Sequence, residues 1–559
     1  MRLSAACGIA AAGILAVCAA AAGGPYRPPT SVPKTGIGFR GDGTGVFPGS
    51  KPPVEWDEKT GRNILWKAPL PNWGYSCPVP VGNRVLFMSE PGWKAHFPQL
   101  CCFDAETGKL LWQRDVDPFL AFGELSGEQR KALTADLCRV HDSFRAAYRI
   151  CRPLEKYASA PEQEVAKAGA ELRKCGMTIS GYTRGYGLLR KLRYVGDGRK
   201  EIDRRLWAYG VKAETTWQRF GRARVGACFS TPISDAEHVF VMTLHGTAAC
   251  FDMDGNLKWT RYSGYKVGPN TGVMASPRLY GDLLLTPFID HGSKNCLLAA
   301  WDKRTGEMRW SRSIPGGGRE GRASRAGASL VIMSVGATDV ALCSTGYVVR
   351  LPDGKVFEAR IDQTLPTWAV DDAHDAIHSA GSHDSGAPRI GVRLAIKGDT
   401  LEVADLYVLR RSYAPASPAF VAGRLFCNLA QLDPATGLIL GLPPDKQADG
   451  GDVRRAPRSS PQTRHLLLAA NGHVYGMYER KTGRRGEVQK CEGVGEVFTL
   501  DGRQAASNVL LPGPWEGEKL DQWGLQGFDH SFSYACSFNI GGDRIYACSN
   551  DYLYCIGSR

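Results

Sequence analysis

AWDKRTGEMRW occupies residues 300–310, and CFDAETGKLLW occupies residues 102–112. Each reads as a short apolar strand, an Asp, a turn carrying Thr-Gly, and a Trp that opens the next strand. CFDMDGNLKW, residues 250–259, is one residue shorter, and LDPATGLIL, residues 432–440, is a worn copy. A phrase repeated at this scale is one supersecondary unit used many times. Working outward, a second phrase precedes the first: a small residue and Pro, an alternating strand, a polar turn and another strand. It starts at Ser76, Ser230, Ala275, Ala416 and Ser459, and a related stretch from Tyr534 closes the chain. Gly82-Asn83, Asp235-Ala236, Gly281-Asp282 and Gly541-Gly542-Asp543 are hairpin turns, where a positive φ or an Asx turn is wanted. Alternation such as Val239, Val241 and Thr243 gives each strand one buried and one more polar face. With a further copy over residues 323–357, which lacks the Pro, the count is about seven four-stranded antiparallel units. Units that cannot bury both faces alone stack radially, so the expected fold is an all-β propeller of seven blades, with eight as the alternative.

The repeated turn has a local physical task. Asp104, Asp252 and Asp302 stand where a strand enters a turn, and a carboxylate there accepts backbone N–H groups. Thr107 and Thr305 complete the turn. Gly108 and Gly306 supply a left-handed conformation that other residues adopt at a cost. Trp112, Trp259 and Trp310 recur in register with the repeat. They are therefore read as apolar mass between neighbouring blades rather than as ligand-stacking groups.

Ala-x-Asp-x-x-Thr-Gly-x-x-x-Trp, matched at every fixed position by residues 300–310, resembles the tryptophan-docking motif of pyrroloquinoline-quinone-like (quinoprotein alcohol dehydrogenase-like) β-propeller repeat proteins. FRGDGTG at residues 39–45, NILWKAPLP at residues 63–71 and the closing LYCIG are also similar to exported bacterial members of that group. The resemblance covers most of the chain apart from one insertion and specifies fold rather than cofactor. The group contains quinone enzymes as well as propellers without a cofactor, such as an outer-membrane assembly lipoprotein. Its enzymes hold the quinone and a Ca²⁺ near the propeller axis with a carboxylate base, carboxylate and amide ligands and an Arg clamp. Those motifs have no placeable counterpart here. Fold alone does not assign chemistry. The expectation is thus an exported, non-catalytic propeller that binds or scaffolds other macromolecules and needs no cofactor. The alternative is a pyrroloquinoline-quinone and calcium-dependent alcohol or sugar oxidoreductase.

Arg2, the apolar Ala-rich stretch at residues 3–22, and Ala20-Ala21-Ala22 before Gly23 read as a signal peptide. Its Ala-heavy composition, with no basic stop after it, speaks against a membrane anchor. Leu15-Ala16-Val17-Cys18 hints at a lipoprotein box, although Val17 is large for that position. The expected destination is periplasmic or extracellular, with lipidation at Cys18 as a variant, and no later segment is long and apolar enough to span a membrane. The layout then runs as residues 1–22 signal peptide, 23–60 N-terminal extension, 61–116 closing strand and first blade, 117–227 helical insertion and 228–559 remaining blades.

The insertion breaks the β pattern. Ser126-Gly-Glu-Gln129 is a capping box, followed by Leu133, Leu137, Val140, Phe144, Tyr148 and Cys151 on one helical face. Pro161 starts a second helix that Gly176 ends, and a third is expected over residues 200–209. Between residues 117 and 224 stand 22 Lys and Arg against 13 Asp and Glu, so +9 of the chain's +13 net charge lies here. A solvated helical face accounts for this, and a docking surface for an acidic protein or anionic polymer is the sharper reading. Nucleic acid is not expected of an exported chain without a binding motif.

Fifteen cysteines remain beyond residue 22. Cys102, Cys250 and Cys555 occupy the strand position filled by Ala300 elsewhere, which is the behaviour of a small buried hydrophobe. Cys101 and Cys102 adjoin within a strand, where successive side chains point to opposite faces, so a ring-forming disulfide is not expected. DDAHDAIHSAGSHD, residues 371–384, is the one local cluster of metal-type ligands. His374 and His378 would share a face if helical, and His383 and Asp384 could add ligands, but the spacing fits no standard zinc signature and a polar surface loop is preferred. Gly316–Gly318 lacks the strand, Lys and helix of a phosphate loop, and no nucleophile elbow occurs.

Overall fold

The computed structural model describes residues 24–72, 74, 76–89, 96–151, 161–179, 192–211, 230–243, 245–264, 275–289, 295–315, 330–343, 345–351, 353–361, 368–379, 389–409, 418–427, 430–441, 466–482, 490–510, 537–549 and 552–558. The segment read as a signal peptide, with Cys18, lies outside them, as do Gly316–Gly318, His383 and Asp384.

Eight four-stranded antiparallel sheets make an eight-bladed propeller. In sequence order the blades span residues 79–115, 233–262, 278–314, 331–360, 369–409, 419–441, 466–510 and 537–557, the last completed by Ile64–Pro69. The expected seven blades are therefore corrected to eight. The uncounted one is blade 5, residues 369–409. Its first hairpin is the very cluster read as a polar loop: Ala369–Asp371, a short 3₁₀ turn at Asp372–His374, and Ala376–Ser379. This blade has neither the small-residue–Pro step that precedes blades 1, 2, 3, 6 and 7 nor the Trp of blades 1, 2, 3 and 8.

The ring closes through the chain ends. Ile64–Pro69 pairs antiparallel with Tyr552–Gly557, in register from Ile64 with Ile556 to Pro69 with Tyr552. This closure supplies the outermost strand of blade 8 from the start of the chain and leaves no opening in the ring.

Ahead of that strand, the N-terminal segment crosses the face that carries the Thr-Gly turns. Asn83 takes the Arg27 N–H (2.7 Å), and the Tyr26 hydroxyl donates to Ala236 O (2.7 Å), which ties the segment to blades 1 and 2. Residues 35–47 then run over the axis. Ile37 bridges Ser234 of blade 2, Asn539 of blade 8 donates to Gly38 O (2.9 Å), and Val46 bridges Ala469 of blade 7. The segment leaves along blade 7, where Tyr475 donates to Pro52 O and Trp56 N–H donates to Asn508.

On the opposite face stand α1 (Gly127–Cys151), α2 (Glu162–Lys174) and α3 (Arg199–Ala208), between blades 1 and 2. The Ser126 box forms reciprocally: Gln129 N–H donates to Ser126 Oγ (3.2 Å) and Ser126 N–H to Gln129 Oε1 (2.8 Å). Leu137, Val140, Phe144, Ala147, Leu172, Ile202 and Leu206 form one core with Phe97 and Phe119 of the propeller side. Phe122 stacks edge-on against Tyr209 (4.8 Å) and meets Tyr262 of blade 2 (5.0 Å), so the helices are seated on blades 1 and 2. No helix among the described residues is long and apolar enough to cross a membrane.

Candidate functional site

The repeat residues lie at the junctions between blades. Asp104 Oδ1 accepts from Glu106 N–H (3.1 Å), Thr107 N–H (2.9 Å) and Thr107 Oγ1 (2.9 Å). Asp302 Oδ1 takes Arg304 and Thr305 N–H (both 3.0 Å), while its other oxygen holds Arg309 (2.6 Å). Asp252 is held by Asp254 and Asn256 N–H and by Lys258. These donors, with Arg309 the largest contributor, pull the Asp302 carboxyl down to about 2.

Each tightened turn then receives the preceding blade's Trp. The Trp66 indole donates to Ala105 O, Trp112 to Met253 O and Trp259 to Lys303 O, each at 3.0 Å. Gly108, Gly255, Gly306 and Gly354 lie flat beneath Trp66, Trp112, Trp259 and Trp310. A Cβ on Gly306 would come 2.6 Å from the Trp259 ring, and one on Gly354 2.6 Å from the Trp310 ring. Where blade 5 has no Trp, Tyr407 lies over Gly437 in its place. Trp310 also edges a shallow, open depression with Tyr280, Asp282 and Arg304 on this face.

The axis holds residues that the sequence reading did not single out. Arg40, from the crossing segment, donates to Trp368 O of blade 5 (3.3 Å) and Pro418 O of blade 6 (2.6 Å). Arg278, at the start of blade 3, donates to Leu330 O (3.1 Å) and to Phe39 O (2.8 Å). Both guanidinium groups are fully buried, and burial draws each down to about 10, with mutual repulsion adding to the fall for Arg40. They stay charged at neutral pH. Cys77 lies beside both, its thiol pushed up to about 11 by burial and hence neutral. Around them Cys77 N–H donates to Thr231 Oγ1 (3.1 Å) and Thr231 N–H to Ser276 Oγ (3.0 Å), which links blades 1, 2 and 3. Arg40 stands within the quoted FRGDGTG and Arg278 directly after the Pro step, and those positions were the available signal.

The histidine cluster is divided by the structure. His374 is exposed on the 3₁₀ turn and pairs with Asp371 (2.8 Å). His378 is buried in a strand, stacked between Tyr407 and Phe420, with Nδ1 3.1 Å from the Tyr407 hydroxyl. Burial draws its pKa down to about 4. The two do not share a helical face, because a turn and a strand replace the helix that would have joined them.

Cys101 and Cys102 are both fully buried on opposite sides of blade 1. Cys101 packs with blade 8 residues Tyr546 and Leu553, and Cys102 with blade 2 residues Val241 and Phe251. Cys77, Cys101, Cys102, Cys138, Cys175, Cys250, Cys296, Cys343 and Cys555 are free thiols.

Ca²⁺ and a quinone would need converging carboxylates near the axis. Among the described residues no three His, Cys, Asp or Glu side chains converge to hold a metal ion. The axis itself presents two guanidinium groups.

Residues 33–143 and 201–374, just over half of the chain, match the family described as outer membrane protein assembly factor BamB. The comparison with curated proteins finds no match. Among solved structures, BamB from Moraxella catarrhalis is similar over 90% of this chain and 95% of its own, at 11% identity and a TM-score of 0.30. A europium-containing methanol dehydrogenase is similar over 88% of this chain and 79% of its own, at 10% identity and a TM-score of 0.32. Quinohemoprotein alcohol dehydrogenase from Comamonas testosteroni is similar over 90% and 78%, at 13% identity and a TM-score of 0.32.

Proposed function

The chain belongs to the family of the outer membrane protein assembly factor BamB, pyrroloquinoline-quinone-like repeat propellers, and from that premise we propose that it is an exported, non-catalytic propeller that binds or scaffolds other macromolecules. The observation that carries this reading is the difference between the two faces. One is crossed at the axis by the chain's own N-terminal segment. The other bears a helical insertion with its apolar side spent on its own core and on blades 1 and 2. Its sequence carries the excess of positive charge, +9 over residues 117–224. Among the described residues Lys131, Arg149, Lys167, Arg173 and Lys200 are exposed with no ion-pair partner, beside the exposed carboxylates Glu124, Glu128, Glu162, Glu164 and Asp197. A segment of that net charge suits an acidic protein or an anionic polymer.

The test uses poly-glutamate as a stand-in for the acidic partner. Binding should weaken steeply as salt rises from about 0.05 to 0.3 M, because exposed charge is screened over roughly 8–10 Å at moderate salt. Reversing Lys131, Arg173 and Lys200 to Glu should abolish it without moving the denaturation midpoint. Binding unchanged by that reversal would sink the assignment of this surface. Adding pyrroloquinoline quinone and Ca²⁺ with a dye acceptor tests the catalytic alternative, and sustained turnover of an alcohol or sugar would overturn the non-catalytic reading.

A further inference from the structure

The axial arginines carry a consequence independent of the basic insertion. Arg40 is 1% and Arg278 1% exposed, and between them they make hydrogen bonds to the carbonyls of Phe39, Thr44, Leu330, Trp368 and Pro418. One donor atom on each has no acceptor: Arg40 Nε and Arg278 Nη1. Every neighbouring acceptor that is engaged is a neutral carbonyl. The one carboxylate that bears on both groups is Asp42, whose Oδ1 is taken by Thr44 N–H (2.9 Å) and Thr44 Oγ1 (2.6 Å). Two buried positive charges thus face a single half-buried negative one, and the adjacent Cys77 thiol is neutral. Buried charge without compensation is strongly unfavourable. Water can satisfy an N–H group but leaves the charge unbalanced.

We propose that the propeller axis holds a small anion, of halide or carboxylate size, bound by Arg40 Nε and Arg278 Nη1 between the crossing N-terminal segment and the innermost strands. The crossing segment sets the size limit. Gly43 and Gly45 press against the two guanidinium groups, where a Cβ would come 2.9 Å from Arg278 Nη2 and 2.7 Å from Arg40 Nη2. The site is closed on that side by backbone. Its neighbours Cys77, Thr231 and Ser537 offer a thiol and hydroxyls rather than competing carboxylates.

Two measurements on the full chain test it. Crystals grown in bromide should show an anomalous peak at the axis within about 3.5 Å of both orphan nitrogens. In solution, bromide at constant ionic strength against bulky gluconate should raise the Tm in a saturating manner, since a ligand bound only by the folded state stabilises it. A parallel formate series separates carboxylate from halide preference. Arg278→Met should abolish the bromide-specific rise. An axis holding only water in bromide-grown crystals overturns the proposal, as does a bromide-specific rise that persists unchanged in Arg278→Met. Should that variant fail to fold, the wild-type crystals decide alone.

Discussion

Gly306 and Trp259 show what one pair of residues contributes at a junction between blades. Gly306 has φ +71° and lies under the Trp259 ring, whereas Gly281, in a hairpin turn of the same blade, has φ +57° and open space where a Cβ would go. Gly281→Ala should lose only the left-handed backbone preference, about 1–2 kcal/mol. Gly306→Ala adds a clash that displaces the indole, so it should lower the denaturation midpoint clearly more. Equal effects would show that the ring is not seated on the turn. Trp259→Ala should cost about 3–5 kcal/mol, as expected for a buried large side chain. Asp302 gives the same junction a pH dependence. Its folded value of about 2 lies below the ordinary Asp value of about 3.9. The ionised form therefore stabilises the fold above that ordinary value, and this contribution is lost as pH falls from about 4 towards 2. Asp302→Asn should be less stable at neutral pH and should lose less stability across that acid window, measured by urea unfolding at each pH. An unchanged acid slope would remove Asp302 from the account.

At the scale of elements, the insertion has its own core, sharing Phe97, Phe119 and Phe122 with the propeller side. Replacing residues 124–222 by a short Gly-Ser bridge should leave a folded propeller, because loop length matters little thermodynamically and the blade contacts lie elsewhere. Its solubility should fall, since Phe122 and Tyr262 lose their cover. A deletion that cannot fold would show that the helices complete the propeller core. The helices were legible because a capping box and a 3.6-residue apolar period are local signals. Blade 5 was not, although Ile390, Val392, Leu394 and Ile396 alternate and Lys397-Gly398-Asp399 turns the strand back towards Leu401 and Val403. Its lid over the next turn is Tyr407, a residue that no fixed spacing announces. Its first turn, through a short 3₁₀ segment with Asp375 at φ +49°, follows no small-residue–Pro step, so that phrase is missing. The His-rich hairpin stood out as chemistry for the same reason, being unlike its equivalents elsewhere in the ring. The axial pair was invisible because it joins residues 40 and 278, which only the closed ring brings together.

For the whole molecule, the N-terminal region does two separable jobs: it crosses the axis, and it closes the ring. Closure rests on Ile64–Pro69 against Tyr552–Gly557, backed by Trp66 seated on blade 1 and by Lys67 paired with Glu58 (2.7 Å). The axial crossing rests on residues 35–47, and nothing in the pairing of the closing strand needs them. Two truncations should therefore behave differently. A chain starting at Asn63 keeps the closing strand and should remain a folded ring with an exposed Arg278. Its innermost strands should exchange amide hydrogens faster, because their cover over the axis is gone. A chain starting at Pro71 loses the closing strand as well, leaving Tyr552–Gly557 as an unpaired edge. Such an edge is a template for pairing with another chain, so this variant should oligomerise or aggregate and lose the cooperative unfolding transition. Hydrogen exchange and light scattering on the pair decide the matter. If the shorter truncation already collapses the ring, the axial crossing, with its buried arginines, is what holds eight blades together, and strand closure is secondary.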